Sequence, residues 1–227
     1  MPNNLESHGI VYNHAGKGHD RLFLDDTNGL YAVFDGAGGD ELSQAVMDQL
    51  PASIAARSAI RPQSQAEFLA TVVADMDGLH ERFLRKATAA MACVTEQAEA
   101  FSVHYFNGGD SSLYFYNKST GSFRRIAHTP TEFIQQNGRQ YTNTAEFLGA
   151  GRSVTQVLQS VGKLLLPKDI EWSIIGMSDG VQDDDGQGIA TSELAAIVRN
   201  TKAADVPNQI LASYPKYDDA SVFIVQH

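Results

Sequence analysis

The fold assignment of this chain starts from the stretch VFDGAGG, residues 33–39. An apolar segment runs directly into Asp35, and three of the next four residues are glycine. One interpretation is an ordinary turn, because Asp and Gly are common turn residues. The other is a carboxylate at the end of a buried strand, with glycines that let a ligand approach the backbone. The stretch alone leaves both interpretations open.

Two common phosphate-binding motifs do not match this stretch. A P-loop requires Gly-Lys followed by Ser or Thr, whereas this chain continues with Asp40 and Glu41. A dinucleotide-binding motif requires glycine at its first, third and sixth places, and here the sixth place holds Glu41. A carboxylate there would repel a phosphate at the start of the next helix.

The composition is that of an ordinary globular protein, with a marked acidic balance. The 227 residues are 43% hydrophobic and 19% charged, and the formal net charge is −10. This charge argues against nucleic acid or an anionic membrane as a partner, because both require clustered Lys and Arg. No repeat or flexible linker divides the sequence, so we expect a single domain over residues 1–227.

The cysteine content and the apolar runs indicate a cytoplasmic protein. Cys93 is the only cysteine, so no intramolecular disulfide is possible. The N-terminal residues lack the basic and apolar regions of a signal peptide. No apolar run approaches the ~20 residues that a membrane-spanning helix needs.

Hydrophobic patterning predicts strands, then two long helices, then strands again, then shorter helices and a last strand. Strands are predicted at residues 9–13, 21–26, 29–36, 91–97, 100–107, 111–119, 173–180 and 220–226. Helices are predicted at residues 43–57, 65–86, 192–200 and 206–213, with partial helix over 152–165 and a turn-rich segment over 128–151. This order favours antiparallel sheets with helices packed outside them, which is an α+β fold.

Aspartates recur at the ends of the predicted core strands. They are Asp20, Asp35, Asp110, Asp179, Asp218 and Asp219. Any one of them is consistent with a turn or a strand boundary. Strand ends can converge on one rim of a sheet, however, where several carboxylates would repel one another unless cations neutralised them. Hard divalent ions such as Mg²⁺ and Mn²⁺ take oxygen ligands of this kind.

Four motifs in order resemble those of the metal-dependent serine/threonine protein phosphatases of type 2C. VFDGAGG resembles that family's Asp-Gly-His-Gly-Gly element, and GGDSS at 108–112 resembles its Gly-Asp-Ser-Arg element. MSDG at 177–180 is similar to its Ser-Asp-Gly element, and DDASVFIV at 218–225 to its closing Asp-Asn-x-(Ser/Thr)-Val strand. The resemblance covers nearly the whole chain, and the spacing of the four motifs is like that of the family's compact bacterial members.

The resemblance implies a central sandwich of two antiparallel sheets with helices on both outer faces. It also implies hydrolysis of phosphoserine or phosphothreonine in proteins by a water that two Mn²⁺ or Mg²⁺ ions activate. A phosphorylated protein would be the substrate, and a cognate serine/threonine kinase a second partner. The implied catalytic residues are the aspartates that bind the two ions, namely Asp35, Asp179 and Asp218.

The resemblance also assigns individual metal-binding roles. Asp35 would bridge both ions, and Gly36 would offer its backbone carbonyl to one of them. Asp179 and Asp218 would hold the other ion, and Asp20 would support the site directly or through water. Asp110, with help from Asp179, would hold a third ion more weakly.

The chain departs from the family pattern at several polar positions. Ala15 stands where the family often carries a phosphate-binding Arg, and Lys17 or Arg21 would have to substitute for it. Ala37 stands in the place of the motif His, and Ser112 in the place of the motif Arg. These losses leave an alternative open, a catalytically weak family member that binds phosphoproteins as a regulatory module.

Overall fold

Two antiparallel β-sheets face each other across an apolar layer, and α-helices cover the outer face of each. This architecture comes from a computed structural model of the chain. It describes residues 5–14, 18–37, 41–59, 64–79, 86–127, 131–136, 139–144, 148, 151–179, 181, 189–213 and 218–227. The predicted α+β sandwich is confirmed.

The strands are numbered in chain order. They are β1 (Glu6–Tyr12), β2 (Arg21–Asp25), β3 (Leu30–Ala37), β4 (Lys86–Glu96), β5 (Ala100–Gly108), β6 (Ser112–Asn117), β7 (Ser122–Ala127), β8 (Thr131–Gln136), β9 (Arg139–Thr144), β10 (Gly162–Pro167), β11 (Trp172–Met177) and β12 (Ala220–Gln226). One sheet has the order β1-β12-β11-β6-β7, and the other has the order β10-β5-β4-β3-β2. A separate hairpin pairs β8 with β9.

The helices lie between and after these strands. They are α1 (Glu41–Ala59), α2 (Gln65–Asp77), α3 (Val154–Ser160), α4 (Thr191–Asn200) and α5 (Val206–Ser213), with a 3₁₀ turn at Ala203–Asp205. Below, the sheet containing β11 and β12 is called the first sheet, and the sheet containing β3 and β4 the second sheet.

The apolar residues divide into three packed layers. Val33 of β3, Phe115 of β6 and Phe223 of β12 meet between the two sheets. α1 and α2 pack on the outer face of the second sheet, while α4 and α5 pack on the outer face of the first. Because β11 lies between two apolar layers, all six of its residues are buried, as its unalternating apolar sequence predicts.

The second long helix is shorter than its sequence predicts. The pattern predicts a helix over 65–86, but α2 ends at Asp77, and the N–H of Gly78 donates to the carbonyl of Ala74 at the helix end. β4 already begins at Lys86. The predicted stripe is buried at Phe68, Val72, Met76 and Leu79, whereas Phe83 lies outside the described residues.

Four strands were not predicted from the sequence, and one of them is β7, which pairs with β6 in the first sheet. The partly helical segment predicted at 152–165 is α3 followed by β10, which pairs with β5 at the edge of the second sheet. β8 and β9 lie inside the segment predicted to be turn-rich. No helix in the described part of the chain is long and apolar enough to cross a membrane.

Candidate metal centre

The ends of strands from both sheets meet at one rim of the sandwich. Asp35 lies near the end of β3 in the second sheet, opposite Thr88 of β4. In the first sheet, Ser178 and Asp179 follow β11 directly, and Asp219 directly precedes β12. The antiparallel pairing continues past β11, because the backbone N–H of Ser178 donates to the carbonyl of Ser221 at 3.0 Å.

Asp20 joins the two sheets at this rim. It directly precedes β2 of the second sheet and is only 2% exposed. The hydroxyls of Ser178 and Ser221, from the first sheet, donate to its Oδ2 at 2.7 Å and 2.8 Å. These bonds favour the ionised carboxylate, but desolvation outweighs them and raises the pKa of Asp20 to about 6.

Asp35 lies among three other carboxyl groups. It is half-buried, hydrogen-bonds with Asp179 and experiences the charges of Asp20 and Asp110. Desolvation and these neighbouring charges raise the pKa of Asp35 to about 11. The structure therefore brings four of the predicted metal-binding aspartates together from four separate parts of the chain.

The loop before β6 is fixed by close packing against β4. Gly109 has a φ of +87°, and a Cβ at this position would lie 2.5 Å from the Cβ of Thr88. The Thr88 hydroxyl hydrogen-bonds with the Ser111 hydroxyl at 2.7 Å, and the Asn107 side chain donates to the Gly109 carbonyl at 3.1 Å. This packing holds the intervening Asp110 beside the end of β3.

The two adjacent aspartates at the start of β12 have different environments. Asp218 is exposed, and its Oδ1 accepts the backbone N–H of Asp219 at 2.9 Å. Asp219 is 3% exposed, and its carboxylate accepts the backbone N–H groups of His14 and His19 at 2.5 Å and 2.6 Å. Asp219 thereby fixes the loop before Asp20, whose pKa its charge also raises.

Gly36 continues β3 beyond Asp35 and lies opposite Ala87 of β4. Ala15 and Lys17 are outside the described residues, as is the side chain of Ala37. Arg21 donates to the backbone carbonyls of Gly18 and Asp20, so its guanidinium is held next to the rim.

A second guanidinium lies beside the residue that replaces the motif arginine. Nη2 of Arg125, on β7, donates to the hydroxyl of Ser112 at 2.5 Å. Ser112 is the residue that replaces the Arg of the Gly-Asp-Ser-Arg element. The guanidinium of Arg125 thus contacts a residue that comes two positions after Asp110 in the sequence.

The donor set has the chemistry of a site for hard divalent cations. Across the described ranges, no group of three or more His, Cys, Asp or Glu side chains has the geometry of a preformed metal site. The carboxyl groups of Asp20, Asp35, Asp110 and Asp179 are nevertheless close enough for their charges to raise the pKa of Asp35. A cation that bound there would relieve this repulsion, so the residues fit Mn²⁺ or Mg²⁺.

Comparison with known proteins identifies the fold but no sequence relative. No protein-family model matches the sequence, and no curated protein sequence matches it. A bacterial serine phosphatase structure matches with a TM-score of 0.74 and 16% identity, covering 98% of both chains. A PPM serine/threonine phosphatase from Mycobacterium smegmatis, in complex with cacodylate, matches with a TM-score of 0.69 and 17% identity over 98% of this chain and 97% of that one.

A C. elegans sex-determining protein is also similar, with a TM-score of 0.71 and 17% identity. The match covers 98% of this chain, which spans 64% of the length of that protein. These similarities show that the chain has the fold of the type 2C, or PPM, phosphatases. The fold expected from the four sequence motifs is therefore confirmed.

Several residues at the rim were not assigned from the sequence. The motif serines Ser178 and Ser221 anchor Asp20, and Asp219 fixes the loop that leads to it. The sequence motifs point to the two serines, since Ser178 belongs to the Ser-Asp-Gly element and Ser221 to the closing element. Arg125 had no such signal, because its role depends on strand pairing between β6 and β7.

Proposed function

We propose that this protein is a metal-dependent phosphatase that hydrolyses phosphoserine and phosphothreonine in proteins. The observation that carries the proposal is the convergence of Asp20, Asp35, Asp110 and Asp179 at one rim of a type 2C phosphatase fold. Burying so many carboxyl groups together is costly unless cations neutralise them. The proposal also assigns the protein to the cytoplasm, in keeping with its single cysteine.

We assign the individual residues the roles that the resemblance to the type 2C phosphatases implies. Asp35 and the Gly36 carbonyl would hold Mn²⁺ or Mg²⁺ at the end of β3, and Asp179 and Asp218 would hold a second ion. Asp110 would hold a third ion more weakly, and Asp20 would orient the site through its serine hydrogen bonds. When bound, the ions supply a nucleophilic water at neutral pH and neutralise charge on the phosphoryl oxygens.

We assign the attraction of the substrate phosphate to Arg125. A planar guanidinium can bind two phosphoryl oxygens at once, which Lys cannot do. Arg125→Gln is expected to raise KM more than it lowers kcat. Arg124→Gln is the matched control, because Arg124 precedes it on β7 and lies over the Phe115 ring at 5.6 Å from the ring centroid.

The activity is tested with p-nitrophenyl phosphate and a phosphothreonine peptide, each with Mn²⁺, with Mg²⁺ and with EDTA. We expect turnover that requires the metal and falls to background in Asp35→Asn. Asp169→Asn, at an exposed turn between β10 and β11, is the matched control and should leave turnover unchanged. Metal-independent turnover, or full activity in Asp35→Asn, would refute the proposal.

A regulatory phosphoprotein-binding module is the second candidate. The replacement of three motif residues by Ala15, Ala37 and Ser112 favours it, because those positions serve substrate binding and proton transfer in the family. Saturable Mn²⁺ binding with no turnover of either substrate would support this candidate. Pull-down with a phosphothreonine peptide and its unphosphorylated form would then test for binding of a phosphoprotein or of a cognate kinase.

A further inference from the structure

A cleft of about 660 Å³ opens at the end of the first sheet that lies farthest from the carboxylate rim. Its floor is the outer face of that sheet at Ser173 of β11 and Ile224 of β12, and its wall is the segment from α4 to α5. Ser173 is six residues before Asp179 along β11 and its continuation. At about 3.3 Å per residue, the cleft is on the order of 20 Å from the candidate metal centre.

Three cationic side chains line this cleft in a chain whose net charge is −10. They are Lys118, after β6, Arg199, in the last turn of α4, and Lys202, after that helix. Neither Arg199 nor Lys202 forms an ion pair with a carboxylate of the described residues; the Arg199 guanidinium donates only to the Gly121 carbonyl at 3.4 Å. The charges of Arg199 and Lys202 therefore remain available to an anion, whereas Lys118 pairs with Glu171 at 3.5 Å.

The floor of the cleft combines an apolar surface with an unused hydrogen-bonding group. Tyr116, Val206 and Ile224 line the floor with aromatic and aliphatic groups, and each of these residues is at most 3% exposed. Ser173 has no exposed surface, and its hydroxyl has no hydrogen-bond partner within the described ranges of the chain.

The acidic side chain in the cleft is occupied by its neighbours. Glu6 accepts from His8 Nε2 at 2.6 Å and from Gln226 Nε2 at 2.8 Å, and these bonds lower its pKa. Gln226 also bonds through Oε1 with Lys118 Nζ at 3.2 Å. Glu6 is thus engaged by its neighbours, whereas the unpaired cations Arg199 and Lys202 belong to the last turn of α4 and to the residues that follow it.

We propose that this cleft is a second ligand site, which binds a small organic anion composed of an apolar or aromatic body and a carboxylate or phosphate group. The body would lie on Tyr116 and Ile224, and the anionic group would bind Arg199 and Lys202. The volume suits such a molecule, since ligand sites commonly span roughly 300–1,000 Å³. The proposal is independent of phosphatase activity.

The probe for this site is naphthalene-2-sulfonate, which cannot be hydrolysed, and its neutral counterpart is naphthalene-2-sulfonamide. The full chain is titrated with each by NMR chemical-shift mapping and calorimetry in a buffer without phosphate. We expect saturable binding of the sulfonate, with amide shifts at Ser173, Thr201 and Gln226. The neutral sulfonamide should bind at least threefold more weakly, because it cannot pair with the two cations.

Charge-removing variants distinguish this site from adventitious binding. Lys202→Gln and Arg199→Gln should each weaken sulfonate binding roughly threefold to tenfold, because each removes one partner of the anion. Lys163→Gln, at an exposed position of β10, removes the same charge elsewhere and should change nothing. Equal binding of both probes, shifts confined to other surfaces, or an unchanged affinity in both cleft variants would overturn the proposal.

Discussion

Replacing Asp35 by Asn should stabilise the metal-free protein at neutral pH, although it removes a candidate catalytic group. The folded state raises the pKa of Asp35 from 3.8 to about 11, so it binds this proton more tightly than the unfolded chain does. The contribution of Asp35 to stability is therefore complete below pH ~4 and is lost progressively as the pH rises toward 11. Asn carries no charge at any of these pH values, so the variant does not lose stability in this way as the pH rises.

The expected gain in stability of Asp35→Asn depends on the difference between the pKa of Asp35 in the unfolded chain and the pH of the measurement. At pH 7 that difference is about three pH units, which corresponds to about 4 kcal/mol at 1.36 kcal/mol per unit. The figure is an upper limit and requires only that the folded pKa lie above 7. It corresponds to a rise in Tm of roughly 10 °C for a chain of this length.

The assay is urea unfolding in EDTA of the wild type, Asp35→Asn and the surface control Asp169→Asn, at several values between pH 4 and pH 8. The difference between wild type and Asp35→Asn should be near zero at pH 4 and should grow toward pH 8. Saturating Mn²⁺ should reverse the order, since it binds the ionised wild-type site and stabilises only the state that binds it. A lower stability of Asp35→Asn in EDTA at every pH would refute the reasoning.

Three further predictions concern residues around the site and in the core. Ser221→Ala removes a hydrogen bond to the Asp20 carboxylate. The variant should lose about 1.5–3 kcal/mol of unfolding free energy at pH 8 and less at pH 5, where Asp20 is largely protonated. Equal losses in urea unfolding at both pH values would contradict this. In thermal unfolding, Gly109→Ala should lose at least ~2 kcal/mol more stability than Gly151→Ala. Both glycines have a positive φ, but only a Cβ at position 109 would meet another residue. Similar losses in the two variants would contradict this. Burial raises the pKa of the Cys93 thiol to about 12, so it should react with a disulfide reagent only after denaturation; stoichiometric reaction of the native protein within minutes would contradict this.

The fold could be predicted from the sequence where a pattern reflected burial on one or both faces. The unalternating apolar run of β11 predicts a strand covered on both sides, and all six residues of that strand are buried. α2 was predicted too long because apolar residues continue at helical spacing past its end at Asp77. That end is defined by a long-range contact, in which buried Asp77 pairs with Arg152 at 2.8 Å.

The candidate site could be predicted as a set of strand-end carboxylates, but its inner contacts could not. Asp218 and Asp219 are adjacent and chemically identical, and only the path of the chain before Asp20 makes Asp219 the buried member of the pair. The placement of Arg125 beside Ser112 likewise depends on the register between two strands. Local sequence carries no information on either arrangement, because both are decided by residues distant in the chain.

The hydrogen bonds from Ser178 and Ser221 to Asp20 affect how readily the two sheets separate at this end of the sandwich. Separating the sheets at this end admits water to Asp20, whose pKa then falls from about 6 toward 3.8. Opening therefore releases a proton between pH 4 and pH 6, and the open population should rise by about thirtyfold across that interval. The backbone amides of Ser178 and Ser221, which bond within the first sheet next to Asp20, are positioned to report this in hydrogen–deuterium exchange as a pH dependence steeper than that of the chemical exchange step.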